Sequence, residues 1–517
     1  MKTITLFALL TLAAILPLPA QEPDDIVVEV NVLPGRGGAG KFDQANITRE
    51  ENKVIQAPFA GGPGSSIEHV VTAPDGSLYL CGSLAGPPTR ELPFTKASTA
   101  DGNAFVARLT PDARTMKAII RLPAQFATAR RVAVGPDGSV AVAGEQTNGE
   151  ELAIAKFPPG LDAVLWKRSV VGDRVASVAV APDGSVVVCP VSKPFVSRIA
   201  ADGSKLIPFG NKDSFRIDGG NPDIVSAWWE GCGYPAAGYK GGATYQRGGN
   251  AGVIALPDGT FVHFSCHFLR HPGGGPDFDP MLVQFDGDGK ILWCTNLLDG
   301  LPAESDHKSP GLALDGRTGD ILVSGIQHGH FAHNYIFTPG SYQNPHPYLT
   351  GNIMIGWVAR IDAATGKPKA ATYFFPENPG PLVGGKKRAN SLFPLAPAAD
   401  ASGNIYITGA SANKFETTLH AFQSTGNSGA FLAAFTPDLG RLIYASLIES
   451  PGFDFTSTAV AVAPEGPVVV GNFSRKKSGP AEFFATNAEV TNYLLPAPGG
   501  LQGGFLNYTP SGPWLCQ

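Results

Sequence analysis

Six of the chain's ten histidines, His267, His271, His307, His328, His330 and His333, fall in one stretch together with Glu304 and Asp306. Imidazole nitrogens and carboxylate oxygens are the ligand set of Zn, Fe, Cu or Mn, with geometry choosing among them. The run HGHFAH at 328–333 spaces its histidines by two and three residues, so one ion could be held where the backbone turns. A transition metal ion there would polarise a substrate carbonyl or activate water, with Glu304 or Asp306 as base. That chemistry describes a metal-assisted hydrolase or lyase acting on a polysaccharide or another extracellular substrate. No HExxH or other recognised ligand motif accompanies the cluster, so the reading rests on co-location alone. The plainer reading is a set of polar loop residues on a solvated rim. His263 stands apart: it aligns with Leu80, Val142, Val188, Val323 and Ile407 and is expected as a packed, hydrogen-bonded histidine.

A second concentration of chemistry is the insert at 211–249, which carries Trp228, Trp229, Tyr234, Tyr239 and Tyr245. Aromatic faces beside Asn, Asp and Gly could stack on sugar rings or peptide ligands; they could equally cap an apolar end of the fold. Trp228, Trp229 and Tyr234 are the ligand-binding candidates. Other apparent motifs carry less. DGDG at 286–289 reads as a hairpin turn rather than a calcium loop. GRGGAG at 35–40 lacks the Lys-Ser/Thr of a P-loop, and no GxSxG nucleophile elbow occurs.

The elements that must position these residues follow from composition and pattern. The 517 residues include 63 Gly and 45 Pro, with only 16% charged and a mean hydropathy near zero. Such a chain is too apolar for disorder and too rich in turn formers for a helical protein; many short strands are expected. A net charge of −5 gives no electrostatic basis for binding nucleic acid or anionic membranes. Lys2, the apolar run Thr5 to Leu16, the breakers Pro17 and Pro19, and Ala20 before Gln21 form a signal-peptide pattern over 1–20. No later stretch is long and apolar enough to span a bilayer, so an exported protein (periplasmic, secreted or at the cell surface) is expected, without membrane insertion. Six cysteines without a CxxC permit disulfides but leave the pairing open.

One pattern recurs: a short apolar strand, a Pro-Asp-Gly-like turn, and a second apolar strand ending in a small residue. It reads VVTAPDGSLYLCG at 70–82, VAVGPDGSVAVAG at 132–144 and VAVAPDGSVVVCP at 178–190, with four further copies at 253–265, 312–325, 397–409 and 460–471. The turn glycines are Gly76, Gly138, Gly184, Gly259, Gly319, Gly403 and Gly466. Each hairpin is followed by further strands such as NAFVARL (103–109), ELAIAKF (151–157) and GWVARI (356–361). Four antiparallel strands repeated seven times, apolar on both faces, predict an all-β fold: a single seven-bladed β-propeller over 52–517. Residues 21–51 form an N-terminal extension.

TTLHAFQSTGNSGAFLAAFTPDLGRLIYASLI at 417–448, with DASGNIYITGAS at 400–411, resembles the bacterial seven-bladed β-propeller (SBBP) repeat; FTPGSYQ at 337–343 and FAGGPGSSIEHVVTAPDGSLYLCG at 59–82 echo it. The resemblance implies the fold, and carries over no catalytic residue. By the same alignment KVIQAPF (53–59) stands where a fourth strand belongs with no blade before it. It is expected to close the ring as the outermost strand of the last blade, removing the exposed edges of an open array. The function expected is non-catalytic binding or scaffolding by a monomer, with an extracellular protein or carbohydrate as ligand.

Overall fold

The computed structural model describes residues 52–510 apart from 59–64, 86–92, 99–101, 114, 192–195, 208–249, 271–275, 299–304, 329–333, 350–352, 413, 419–420, 422–427, 449–452, 465, 476–487 and 491–500. Its local unit is the turn. In Ala73-Pro74-Asp75-Gly76-Ser77 the Gly76 N–H donates to the Ala73 carbonyl (2.9 Å) and the Ala73 N–H to the Ser77 carbonyl (2.8 Å). Proline presets the first turn residue, and Gly76 takes φ +80, which costs an L side chain but not glycine. The Asp75 carboxylate accepts the Ser77 N–H at 2.9 Å and so closes the corner. The same bonding recurs at Gly135–Ser139, Ala181–Ser185 and Leu256–Thr260.

At the far end of most of these hairpins the second strand meets a bulge in the first, as between Ile67 and His69 or between Val175 and Ser177. The bulge presses backbone onto the second strand, which explains the small residue there. A Cβ on Gly82 would stand 2.0 Å from the Ser66 carbonyl oxygen, and one on Gly144 would stand 1.8 Å from that of Thr128.

These hairpins extend into antiparallel sheets whose strands follow chain order. The first sheet holds Ser66–Thr72, Leu78–Ser83, Ala104–Leu109 and Met116–Arg121; the second Arg131–Val134, Val140–Glu145, Glu151–Phe157 and Trp166–Val171. The third holds Val175–Val180, Val186–Pro190, Ser197–Ile199 and Leu206–Ile207; the fourth Asn250–Ala255, Phe261–Arg270, Pro276–Phe285 and Ile291–Thr295. The fifth comprises His307–Leu314, Ile321–His328, Met354–Ile361 and Pro368–Phe374. In the sixth the first strand is split into Leu392–Pro394 and Ala398–Ala399, ahead of Ile405–Ser411, Gly429–Phe435 and Leu442–Ile448. The seventh joins Phe453–Ala463, Gly466–Arg475 and Leu501–Pro510 to Asn52–Pro58, which pairs antiparallel with Leu501–Pro510. Ala488–Val490 pairs parallel outside Asn52–Pro58, so the amino-terminal strand is the fourth of five. An eighth, small sheet is built from Tyr348–Leu349, Glu377–Val383 and Lys386–Ala389.

First strands pack on first strands in succession around the molecule, and Phe453–Ala463 returns to pack on Ser66–Thr72. The apolar cores lie between sheets: Leu78, Leu80, Val468 and Val470 between seventh and first, Val140 and Tyr79 between first and second, Val186 and Ile154 between second and third. Four-stranded antiparallel sheets packed face to face in a closed circuit are the arrangement of a β-propeller. Among the described residues no helix is long and apolar enough to cross a membrane.

Cations on the third strands tie neighbouring sheets. Arg108, Lys156, Arg198 and Arg360 sit opposite Tyr79, Ala141, Val187 and Leu322, one equivalent register in four sheets. Arg108 pairs with Asp75 of its own turn at 2.7 Å and donates to the Pro159 carbonyl of the second sheet at 3.5 Å. Lys156 donates to the Gly184 carbonyl of the third sheet at 2.7 Å. Arg198 pairs with Asp183 at 2.5 Å and donates to the Gly287 carbonyl of the fourth sheet at 2.6 Å. Arg360, almost wholly buried, pairs with Asp315 (2.5 Å) and Asp320 (3.1 Å) and donates to the Gly403 and Pro437 carbonyls of the sixth sheet. Burial alone would raise the Asp315 and Asp320 carboxyls; hydrogen bonds from Arg360, and from Lys369 to Asp320, hold both below the usual range.

Two expected outcomes follow. Arg360→Met leaves the buried Asp315 carboxylate without its cation, Asp320 keeping Lys369, and costs about 3–5 kcal/mol, read as a lower urea midpoint with unchanged slope. Peptide mapping without reductant finds Cys81, Cys189 and Cys266 as thiols and Cys294 in a cross-linked peptide.

Candidate functional site

Each histidine of the sequence cluster has its place set by a strand or lies outside the described residues. His263 is fully buried on the second strand of the fourth sheet, where its Nδ1–H donates to the Gly252 carbonyl at 2.8 Å. Burial pulls its pKa down to about 4. His267 is not in a loop, contrary to the sequence reading: the strand runs on to Arg270, and His267 pairs across the ladder with Asp279, as Leu269 does with Asp277. The strand formers Phe268 and Leu269 carry the hairpin past the point where the repeat pattern ends. His271, His330, His333 and Glu304 lie outside the described residues, as do Trp228, Trp229, Tyr234, Tyr239 and Tyr245 of the insert.

His307 also departs from the rim position expected of it. It opens the first strand of the fifth sheet opposite Gln327, is fully buried, and stands edge-on to Trp357 with ring centroids 5.9 Å apart. Among the described residues neither of its ring nitrogens has a hydrogen-bond partner, and Trp357 Nε1 has none. Burial lowers the His307 pKa to about 3, so the ring is a neutral packing element. Asp306, one residue earlier, faces outward: its carboxylate pairs with Lys308 Nζ at 3.0 Å and accepts the Phe278 N–H at 3.3 Å. Its carbonyl accepts the His328 N–H at 2.8 Å, and Ser305 Oγ donates to the His328 carbonyl. The backbone therefore does bring Asp306, His328 and the 278–279 stretch opposite His267 to one junction. Among the described residues no group of three or more His, Cys, Asp or Glu side chains is placed to hold a metal.

A charged cluster that sequence reasoning missed lies where the first hairpins of the first two sheets open, at the end away from their turns. Arg130 bridges Glu68 (2.7 Å) and Glu145 (2.9 Å), Ser66 Oγ donates to Glu68 at 2.8 Å, and Thr128 Oγ1 donates to Glu145. Burial would depress the Arg130 guanidinium, but the two carboxylates more than offset it and raise its pKa. Glu68 is the extra residue of the bulge between Ile67 and His69, which re-aims it out of the ladder. Beside it Arg131 Nε donates to the Ala176 carbonyl of the third sheet (2.9 Å), and His69 Nδ1 lies 3.2 Å from the Val132 carbonyl. Burial, then the charge of Arg131, lowers the His69 pKa to about 3. The available signal was charge at first-strand positions, SIEHVV and ARRVAV, where the other repeats are apolar.

No protein-family model matches the chain, and no curated protein matches it. Among solved structures it is similar to Kuenenia stuttgartiensis hydrazine synthase at 13% identity, covering 81% of this chain and 96% of that one, with TM-score 0.41. It is similar to the RRP9 WD40 repeats at 9% identity, covering 88% and 97%, with TM-score 0.42, and to a streptogramin B lyase at 10%, covering 89% and 99%, with TM-score 0.41. Superpositions this loose carry no argument about chemistry; the sheet order and ring packing rest on the strands themselves.

His263 and His307 make stability pH-dependent. Both fold neutral, with pKa values below the unfolded 6.5, so their contribution is complete above that value and falls as pH drops towards 4. Each adds a slope of about 1.4 kcal/mol per pH unit in that window. His307→Leu is expected to remove about one proton from the slope of unfolding free energy against pH, measured by urea titration; an unchanged slope would show that His307 is protonated in the fold.

Proposed function

We propose that the chain is an exported seven-bladed β-propeller of the SBBP-repeat kind, acting as a non-catalytic binding or scaffold module. Residues 1–20 are its signal peptide, 21–51 an extension, and 52–517 the ring, with the seven larger sheets as blades and the three-stranded sheet as a decoration. Pairing of Asn52–Pro58 with Leu501–Pro510 supports closure of that ring by strands from both ends of the chain. A disulfide at Cys294 supports export, since such bonds persist in oxidising compartments.

The observation that carries the reading is the unlike build of the two faces. Turns between first and second strands are tight and hydrogen-bonded, as are those joining third and fourth strands in the first six sheets, and third-strand cations clamp them in four sheets. The connections between second and third strands, and between successive sheets, open on the other face and hold the long segments, where variable loops on a rigid scaffold offer binding surface. The ligand is an extracellular protein or carbohydrate, engaged by a monomer.

The junction of Asp306 with Phe278 and His328 favours a second reading, a metal-assisted hydrolase or lyase using His267, His271, His328, His330 and His333, with the buried His307 set aside. Metal content of untagged residues 21–517 separates the two. Well under one equivalent of transition metal, before and after incubation with Zn, Mn, Cu and Fe(II), is expected; a near-stoichiometric metal lost in His328→Ala would overturn the binding-module reading.

A further inference from the structure

The three-stranded sheet stands among the connections. Its hairpin, Glu377–Val383 with Lys386–Ala389, joins the last strand of the fifth sheet to the first of the sixth. Tyr348–Leu349, from the fifth sheet's second-to-third connection, pairs parallel with Lys386–Ala389. The base is fixed. Tyr348 is buried edge-on to Phe375, with ring centroids 4.9 Å apart, and its hydroxyl donates to Glu377 at 2.7 Å. Lys387 Nζ pairs with the same carboxylate at 3.2 Å, and the Asn390 N–H donates to the Pro376 carbonyl at 2.8 Å. The tip projects. Gly384 and Gly385 turn the hairpin with φ +58 and +77, the two positive values a two-residue loop needs. Every residue from Gly380 to Lys386 is exposed. Among the described residues nothing comes within 4 Å of a Cβ added to Gly380, Gly384 or Gly385.

We propose that this hairpin docks the protein on a bilayer of anionic lipids, a role beyond the binding-module reading and independent of its ligand. The sequence from Pro379 to Gly385 holds no polar side chain, and Lys386-Lys387-Arg388 follows at once. Leu382, 60% exposed, and Val383, 38% exposed, put aliphatic surface at the apex, where it would leave water on entering the lipid interface. Lys386 and Arg388 are exposed just behind them, and strand alternation sets both on the face opposite Lys387, where headgroup phosphates would meet them. The chain's net charge of −5 does not oppose this contact. Screening limits the field to about 8 Å at physiological salt, so a projecting tip is felt before the rest of the molecule. Strand addition by a protein is disfavoured: Glu377–Val383 is the edge strand, its pairing is irregular after Asn378, and Pro379 and Pro381 cannot donate. A convex apolar apex needs a complementary pocket on a protein, but none on a fluid bilayer.

The test is co-sedimentation of residues 21–517 with vesicles of phosphatidylcholine alone, or of equal parts phosphatidylcholine and phosphatidylglycerol. Affinity for the anionic vesicles is expected to be at least about tenfold the higher. Lys386→Glu combined with Arg388→Glu is expected to lower it at least about tenfold, and Leu382→Ser at least about threefold. Lys290→Glu, at the fourth-sheet turn on the opposite face, is expected to leave it unchanged. Amide exchange on the wild type gives a second reading: anionic vesicles slow exchange over 382–388. Equal binding to both vesicles, or to neither, overturns the proposal. So does anionic binding that survives the hairpin variants, or that is lost on charge reversal but indifferent to Leu382→Ser, which would point to an acidic protein surface instead. Each of these failures leaves the binding-module reading standing.

Discussion

Arg198 donates to the carboxylate of Asp183 in its own sheet and to the Gly287 carbonyl in the next, and Arg360 repeats the geometry between the fifth and sixth sheets. The cation has to be on the third strand at one register, because only there does a long side chain span its own turn and reach the neighbouring turn. The turn, in turn, has to present an Asp, because the same carboxylate that closes the corner is the one that orients the cation. Hydrophobic burial between sheets supplies most of the driving force, but it is non-directional and would tolerate sliding. Charge-assisted hydrogen bonds to main-chain carbonyls are directional, and at four of the junctions they fix one sheet at a set rotation from the next.

With the turn face committed to that clamp, ligand-bearing chemistry has to reside elsewhere. Charged side chains gather at the inner end of the first two sheets, where a bulge turns Glu68 out of the ladder towards Arg130, and the packing opens on the opposite face, where the sixth and seventh sheets part. The histidines that looked most chemical are divided by the same logic. Those on strands, His263 and His307, are neutral packing groups; His328, at a strand end, stays partly exposed beside Asp306.

The hairpins were legible because Pro-Asp-Gly between apolar runs has one physical meaning, and Gly76, Gly138, Gly184 and Gly259 all adopt the positive φ it requires. The clamp was visible only as a stray charge in apolar strands such as FVARL and WVARI; its partners are neighbours through register, not through sequence. The bulges were illegible, since an extra residue in a short strand leaves no periodic trace, and with them went Glu68, the partner of Arg130. His267 and His307 were misplaced for a related reason: repeat alignment marks where hairpins turn, while strand length is set by pairing that the repeat does not encode. The opening between the sixth and seventh sheets could not be read at all, because it arises from what the Pro394–Pro397 segment fails to fill.

The third-strand cations couple their sheets to the next rather than stabilising each sheet alone. Native-state amide exchange on Arg198→Met tests it directly. Faster exchange is expected in the third sheet and, equally, in the fourth-sheet turn around Gly287 and the strands it joins, Pro276–Phe285 and Ile291–Thr295. Faster exchange confined to the third sheet would contradict it.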